Sequence, residues 1–119
     1  MTEIKRDSAG AVRVSDEVLS VIAGTAALEA EGVAGLFGHY SGGTKKALRR
    51  QMARGISVEV RHGSVKASLS IIAKFGSKVC DVARDVQLRV KKEIEGMTGL
   101  ALGEVNVTVG KIVDEARKA

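Results

Sequence analysis

The sequence has little of the chemistry that disulfide-bonded, metal-binding or base-stacking proteins use. Cys80 is the only cysteine among 119 residues, which excludes an internal disulfide and a multi-cysteine metal site and fits a reducing compartment. The aromatic side chains are Phe37, Tyr40 and Phe75, too few for the stacking surfaces of typical single-strand nucleic-acid binders. The core must therefore be built from aliphatic side chains.

Long hydrophobic runs are also absent from the sequence. Residues 1–13 are polar and lack the apolar segment of a signal peptide, and no run approaches the length of a membrane span. We therefore expect a cytoplasmic protein whose membrane contact is peripheral, at the inner face, or made through a partner. The formal net charge of +5 favours acidic partners such as nucleic acid, anionic lipid or an acidic protein face, but it does not decide the fold.

The length sets the domain organisation. A chain of 119 residues can hide roughly two-thirds of its unfolded surface, which is enough for one core and too little for two. We expect a polar leader over residues 1–9, one domain over residues 10–113 and a charged tail over residues 114–119. No internal repeat or linker divides the chain.

The first third of the sequence predicts a strand, a helix and a second strand. Alternation in residues 11–14 predicts a short strand, and Ser15 is a good helix N-cap, followed by acidic residues that suit the helix dipole. A helical stripe then runs to Gly32, a natural C-terminal cap, and residues 33–36 predict a short strand. The stripe consists of Val18, Leu19, Ile22, Ala23, Ala26, Ala27 and Ala30.

Period-two alternation returns in the middle of the chain. Residues 56–60 and 65–71 alternate on either side of His62-Gly63, which predicts a β-hairpin with one apolar and one polar face. The sheet is therefore expected to be covered on one side only.

A second helix and a last strand complete the predicted fold. Ser77 is expected to cap the helix, Gly96 and Gly99 to end it, and alternation over residues 105–109 predicts the strand. The apolar stripe of this helix contains Val79, Val82, Ala83, Val86, Val90, Ile94 and Met97. The order β-α-β-β-β-α-β predicts an α/β (α+β two-layer) fold with two main helices packed on one face of a mixed β-sheet.

Candidate catalytic and metal-binding residues are few. His39 and His62 are the only histidines, both lie in predicted loops, and their spacing is not that of a metal-binding pair. Cys80 is expected in the first turn of the second helix, where a redox role is the minor alternative and a half-buried structural cysteine is the simpler interpretation. We therefore expect no catalytic site, metal, cofactor or small-molecule substrate.

Two glycine-containing segments resemble nucleotide- or RNA-binding motifs only superficially. Residues 38–45 are similar to a phosphate-binding loop, but Thr44 precedes Lys45, the reverse of the order that phosphate and magnesium binding require. Residues 96–99 have the GxxG form of an RNA clamp, but they lead from a helix into a strand. With 14 glycines in the chain, such matches are expected by chance.

The most distinctive local feature is a basic stretch without an acidic residue between Thr44 and Gly55. If Thr44 caps a helical turn, the basic side chains form a stripe flanked by Leu48 and Met52, suited to anionic lipid or an acidic groove. The alternative is a solvated basic loop. The stretch contains Lys45, Lys46, Arg49, Arg50 and Arg54.

Several phrases, taken in order and with their spacing, resemble the alkaline-shock-protein family of Gram-positive and related bacteria over residues 10–113. They are residues 12–15, 31–33, 55–60, Val86-Gln87 with Val90-Lys91, 97–100 and 105–109. The resemblance implies an α/β domain without a known catalytic site. It also implies a link to cell-envelope stress and homeostasis, and action through assembly or partner proteins at the cytoplasmic side of the membrane.

The hypothesis from sequence is therefore a non-enzymatic structural or scaffolding protein of the envelope-stress response, acting through self-association or protein partners. The alternative is a basic RNA- or nucleic-acid-binding module, and an enzyme comes third. Scarce aromatic residues argue against base stacking, while the basic stretch allows phosphate contacts. Charge alone does not decide between these partners.

Overall fold

The computed structural model describes residues 2–36, 56–61 and 64–114. The described elements, in chain order, are β1 (Thr2–Asp7), β2 (Gly10–Val14), α1 (Asp16–Glu29), β3 (Val33–Leu36), β4 (Ile56–Arg61), β5 (Ser64–Lys74), α2 (Val79–Thr98) and β6 (Ala101–Val113). From β2 onward this is the predicted order, and the predicted fold class is confirmed.

The N-terminal segment corrects the sequence prediction, because a strand lies where we expected a polar leader. β1 pairs antiparallel with β2, with Thr2 opposite Val14 and Asp7 opposite Gly10. In the turn, the Ala9 N–H donates to Asp7 Oδ1 at 2.8 Å. Most side chains of β1 are exposed, so the sequence of β1, unlike that of β2, carries no alternation that would indicate a strand. Its pairing therefore could not be recognised from burial periodicity.

β5 is the central strand of the main sheet. Along one edge it pairs antiparallel with β4, over Ser64 to Leu69, and with β3, over Ile71 to Ala73. Along its other edge it pairs in parallel with β6 over its full length, from Ser64 to Lys74. The sheet is mixed, as predicted, and β6 reaches beyond the five residues whose alternation indicated it.

The core lies between one face of this sheet and the two helices. Alternate residues of β5 from Val65 to Ala73 are buried, and α1 contributes mainly small side chains such as Ala23 and Ala27. α2 buries Val82, Val86, Val90, Ile94 and Thr98, at a strict spacing of four. That spacing carries the stripe to Thr98 and leaves Met97 exposed, contrary to the prediction. Val18 is exposed, so the stripe of α1 begins one residue later than expected, at Leu19. Val79 is only partly buried, so the stripe of α2 begins about one turn later, at Val82.

The helix ends agree with the prediction at two of four positions. The Ser15 hydroxyl accepts a hydrogen bond from the Val18 N–H at 3.2 Å, which confirms it as the cap of α1. Gly99 ends α2 in the left-handed conformation, its N–H donating to the Glu95 carbonyl at 2.9 Å. Ser77 is not the cap of α2, because the chain becomes helical one residue later and Lys78 occupies the N-cap without a side-chain bond. Gly96 lies within the helix.

Gly32 fixes the turn that joins α1 to β3. α1 ends at Glu29 rather than at Gly32, and Gly32 has a φ of +89°, which side-chain-bearing residues rarely adopt. A Cβ built on Gly32 would lie 2.6 Å from Val82 Cγ2. The turn therefore packs directly against the first turn of α2, with room for a hydrogen atom only.

Candidate protein-interaction site

The basic stretch predicted as a binding site lies outside the described residues. Lys45, Lys46, Arg49, Arg50 and Arg54 all fall between residues 37 and 55, and so do His39 and the glycine-rich residues 38–45. His62 also lies outside the described ranges. The basic stripe and its solvated-loop alternative both stay predictions.

Cys80 is exposed, which corrects the expectation of a half-buried thiol. It is the second residue of α2, in the first turn as predicted, but it precedes Val82 by two positions. Two residues correspond to about 200° of helix rotation, so the thiol lies on the face away from the core. In the ranges 2–36, 56–61 and 64–114, no group of three or more His, Cys, Asp and Glu side chains could hold a metal ion.

Two open clefts lie on the described surface. The first, of about 410 Å³, lies between the α1–β3 turn and the start of α2, where Glu31, Asp81 and Asp85 surround Ser77 and Lys78. The second, of about 350 Å³, lies beside the start of β6. Its walls include Glu59 and the ion pair between Lys66 Nζ and Glu104 Oε2, 3.3 Å apart. The described lining residues include neither an imidazole nor a thiol, the usual base and nucleophile of hydrolases and transferases.

The free edge of β6 is the feature that sequence reasoning missed. β6 pairs with β5 on one side only, and no other strand in the described ranges pairs with it. Its register against β5 shifts twice, and the extra residues are Gly103 and Gly110. Such shifts are β-bulges, which bend a strand and interrupt its edge. Between them lies a regular segment, residues 104–109.

Two side chains of α2 reach the first part of this edge. Gln87 Nε2 donates to the Val105 carbonyl at 3.0 Å, and Glu95 Oε2 accepts from the Leu102 N–H at 3.1 Å. In a parallel ladder, a residue directs its N–H and C=O to the same side, and alternate residues face opposite sides. Because the Val105 carbonyl and the Leu102 N–H both bond to α2 side chains, we infer that the backbone groups of Val105, and with them those of Val107 and Val109, face away from β5. They form a row of hydrogen-bonding groups on the free edge.

No helix in the described part of the chain combines the length and the apolar character needed to cross a bilayer. α2 is the longest of the described helices, with 20 residues, but eight of them are Asp, Glu, Lys or Arg. Its buried apolar side chains belong to the core between the helices and the sheet.

Comparison with known protein families shows to which family the chain belongs. Residues 4–113 match the alkaline shock protein 23 family, described as having a cell envelope-related function. The chain belongs to this family. The match begins within β1, so the N-terminal hairpin is part of the family domain, and the resemblance inferred from the sequence is confirmed.

Proteins of Bacillus subtilis and Streptococcus pyogenes are among the relatives of this chain. The protein YloU of Bacillus subtilis is 31% identical over 87% of this chain and 89% of its own length. YqhY of the same species is 29% identical, with 84% and 75% covered. A Streptococcus pyogenes protein named as a stress response regulator, a gls24 homolog, is 31% identical over 88% of this chain and 58% of its own length. These names and the family description establish a stress-response, envelope-related family, and no enzyme is named among these three.

Solved structures of the MamM CTD share the fold. One variant superposes with a TM-score of 0.50 at 15% identity, covering 80% of this chain and 95% of that one. A nickel form gives the same TM-score at 14% identity, covering 80% and 96%. At this identity the likeness concerns the fold alone.

Proposed function

We propose that the protein is a non-enzymatic scaffold of the cell-envelope stress response, which acts through self-association or protein partners at the cytoplasmic side of the membrane. Family membership supports the envelope and stress parts of this proposal. The observation that carries the scaffolding part is the edge of β6, a row of outward backbone groups at the border of the main sheet. Strand edges of this kind are templates for pairing with another chain.

Self-association is tested by measuring the molar mass of the purified chain over a concentration series, by light scattering after gel filtration and by sedimentation velocity. We expect the mass to rise above the 12.5 kDa of one chain as the concentration increases. A constant mass of one chain up to millimolar concentration would contradict the self-association part of the proposal. A protein partner would then remain the only scaffolding route.

Membrane recruitment through the basic stretch is the second part of the proposal. Changing Lys45, Lys46, Arg49, Arg50 and Arg54 to Ser lowers the formal net charge from +5 to zero. Binding to vesicles of mixed phosphatidylcholine and phosphatidylglycerol should fall at least tenfold, and wild-type binding should weaken as salt is raised.

A control with the same loss of charge separates the stretch from the net charge. It changes five exposed basic residues elsewhere to Ser, namely Lys5, Arg6, Arg84, Lys91 and Lys92. This control should keep more of the vesicle binding than the first variant. Equal losses in both variants would mean that only the net charge matters, and no loss in either would remove lipid from the proposal.

Nucleic acid is the alternative partner, favoured by the same five positive charges. The discriminating measurement adds single- and double-stranded oligonucleotides to the vesicle assay as competitors. Under the scaffold proposal, the oligonucleotides bind weakly and displace little protein. Tight oligonucleotide binding that the basic-stretch variant loses would establish a nucleic-acid-binding module instead.

A further inference from the structure

We propose that β6 pairs antiparallel with β6 of a second copy of this chain, about a twofold axis at Val107, so that the two main sheets become one continuous sheet. This inference rests on the proposed self-association and names its interface. It concerns the segment between the bulges at Gly103 and Gly110.

The composition of this segment differs from that of a protected edge. Natural sheets block their edges with charges, proline, bulges or covering side chains. In β6 such features occur only at the ends of this segment, where Glu104, Lys111 and the two bulges lie. At the N-terminal end, Gln87 and Glu95 of α2 bond to the backbone of Val105 and Leu102. Residues 105–109 are Val, Asn, Val, Thr and Val, without charge, glycine or proline. Such a segment has high β-propensity and is left open to pairing.

The register of the proposed pair follows from the direction of the backbone groups. The outward-facing residues Val105, Val107 and Val109 are symmetric about Val107. Antiparallel pairing centred there places Val107 opposite its own copy and Val105 opposite Val109, all as hydrogen-bonded pairs. The Val105 carbonyl, which already accepts from Gln87, would accept the Val109 N–H of the second copy with its other lone pair. Asn106 then lies opposite Thr108, which joins two polar side chains on the exposed face of the sheet. A shift by two residues would push one of the bulges into the pair and lose part of the ladder.

Charge also favours a second copy in the antiparallel direction. Glu104 and Lys111 flank the segment on the outer face, where they stand in register with Lys66 and Ile72 of β5. Antiparallel pairing about Val107 brings Glu104 of each copy next to Lys111 of the other, which gives two opposite-charge contacts. Parallel pairing would instead place like charges opposite each other, which is unfavourable. The edge is therefore complementary to itself, as a twofold interface requires.

Cysteine cross-linking tests this register. Cys80 is first changed to Ser, and Val107→Cys is introduced in that background. In a hydrogen-bonded antiparallel pair the two Cα atoms lie about 5.5 Å apart, within the disulfide range of about 4.4–6.8 Å. Mild oxidation at a concentration where the chain associates should give a covalent dimer in most of the protein.

Thr108→Cys in the same background is the matched control. It is the next residue and more exposed than Val107, so random collisions would cross-link it more readily. In the proposed register its Cα lies about 8 Å from the copy of itself, beyond the disulfide range. We therefore expect at least a fivefold lower dimer yield than with Val107→Cys. Equal yields, or a higher yield at residue 108, would overturn the register.

A proline pair tests the edge without new thiols. Val107→Pro removes an N–H that faces away from β5, so the β5–β6 ladder is kept, whereas Asn106→Pro removes an N–H that bonds to β5. The first variant should keep its cooperative unfolding and weaken association at least tenfold, because two cross-copy hydrogen bonds are lost at the axis. Asn106→Pro should lower the melting temperature, because it breaks a hydrogen bond of the β5–β6 ladder.

The outcomes separate this inference from the proposed function. If the wild type associates and the disulfide forms at residue 107 but not at residue 108, the results support both the self-association and the β6 interface. If the chain associates while Val107→Cys stays reduced and Val107→Pro associates normally, this interface is wrong. Self-association then uses another surface, such as the hairpin of β1 and β2. Absence of association at every concentration would overturn both.

Discussion

Replacing Gly32 by alanine tests the contact between the α1–β3 turn and α2. Two separate costs are expected. The first is conformational, since a residue with a Cβ at a φ of +89° costs about 1–2 kcal/mol in the left-handed region. The second is steric, since the new Cβ would lie 2.6 Å from Val82 Cγ2 and 3.2 Å from Ser77 Oγ. Forcing an extra carbon into a packed site costs about 1–3 kcal/mol.

Gly99→Ala is the matched control for the conformational cost. Gly99 also has a positive φ, +75°, but nothing lies within 4 Å of a Cβ built there. The control should therefore lose about 1–2 kcal/mol and Gly32→Ala about 2–5 kcal/mol. Urea titration followed by circular dichroism measures both losses, and the melting temperature should fall by about 4 °C for each kcal/mol.

A double-mutant cycle isolates the steric part. Val82→Ala removes the methyl carbon with which the new Cβ collides, so Gly32→Ala in that background should cost only slightly more than Gly99→Ala, because the 3.2 Å approach to Ser77 Oγ is kept. The coupling between the two positions is expected to be about 1–3 kcal/mol. The reasoning is refuted if Gly32→Ala is no more destabilising than Gly99→Ala, or if the coupling is zero.

Three further predictions concern the core, a buried hydroxyl and metals. Val86 is fully buried and Leu88 is 64% exposed, so Val86→Asp should abolish the cooperative melting transition while Leu88→Asp shifts stability by about 0.5 kcal/mol or less; a folded Val86→Asp variant would reject the packing of α2. The Thr98 hydroxyl donates to the Ile94 carbonyl at 2.6 Å and accepts from the Leu100 N–H at 3.2 Å, so Thr98→Val should cost about 1–2 kcal/mol in urea unfolding, and an unchanged midpoint would count against this cap. Elemental analysis of the purified protein should find no stoichiometric transition metal, and one metal per chain would require a site outside the described residues or between copies.

The elements that bury one face could be predicted from the sequence. α2 and the strands β4 and β5 each carry an apolar stripe at one period, because each is packed against a single layer. β1 could not be predicted, since its exposed side chains do not alternate between apolar and polar residues as those of β2 do. The prediction of Ser77 as the cap rests on residue type alone. Whether Ser77 or Lys78 begins the helix depends on backbone geometry that residue preference does not contain.

The candidate site was harder to predict than the fold. The sequence directed attention to the basic stretch, because charge is visible in composition. Whether β6 lies at the edge of the sheet depends on which strands are its neighbours. Its parallel partner β5 is 37 to 39 positions away in the chain, so no local sequence pattern indicates this pairing. One signal was present in the sequence: the uncharged segment from Val105 to Val109 is unusual for a strand at the border of a sheet.

The parallel ladder between β5 and β6 also shapes the order of folding. β4 and β5 are antiparallel neighbours separated by two residues in the chain and can pair as soon as both are synthesised. β6 can join β5 only after α2 has been made and has folded back. Closing the longer loop costs more chain entropy, so the β5–β6 pairing is expected late in the folding reaction. Until then one side of the central strand is unpaired during translation. A nascent chain stalled before Ala101 would leave that edge of β5 unpaired, which makes this stage the one at which chaperone binding or aggregation is most expected.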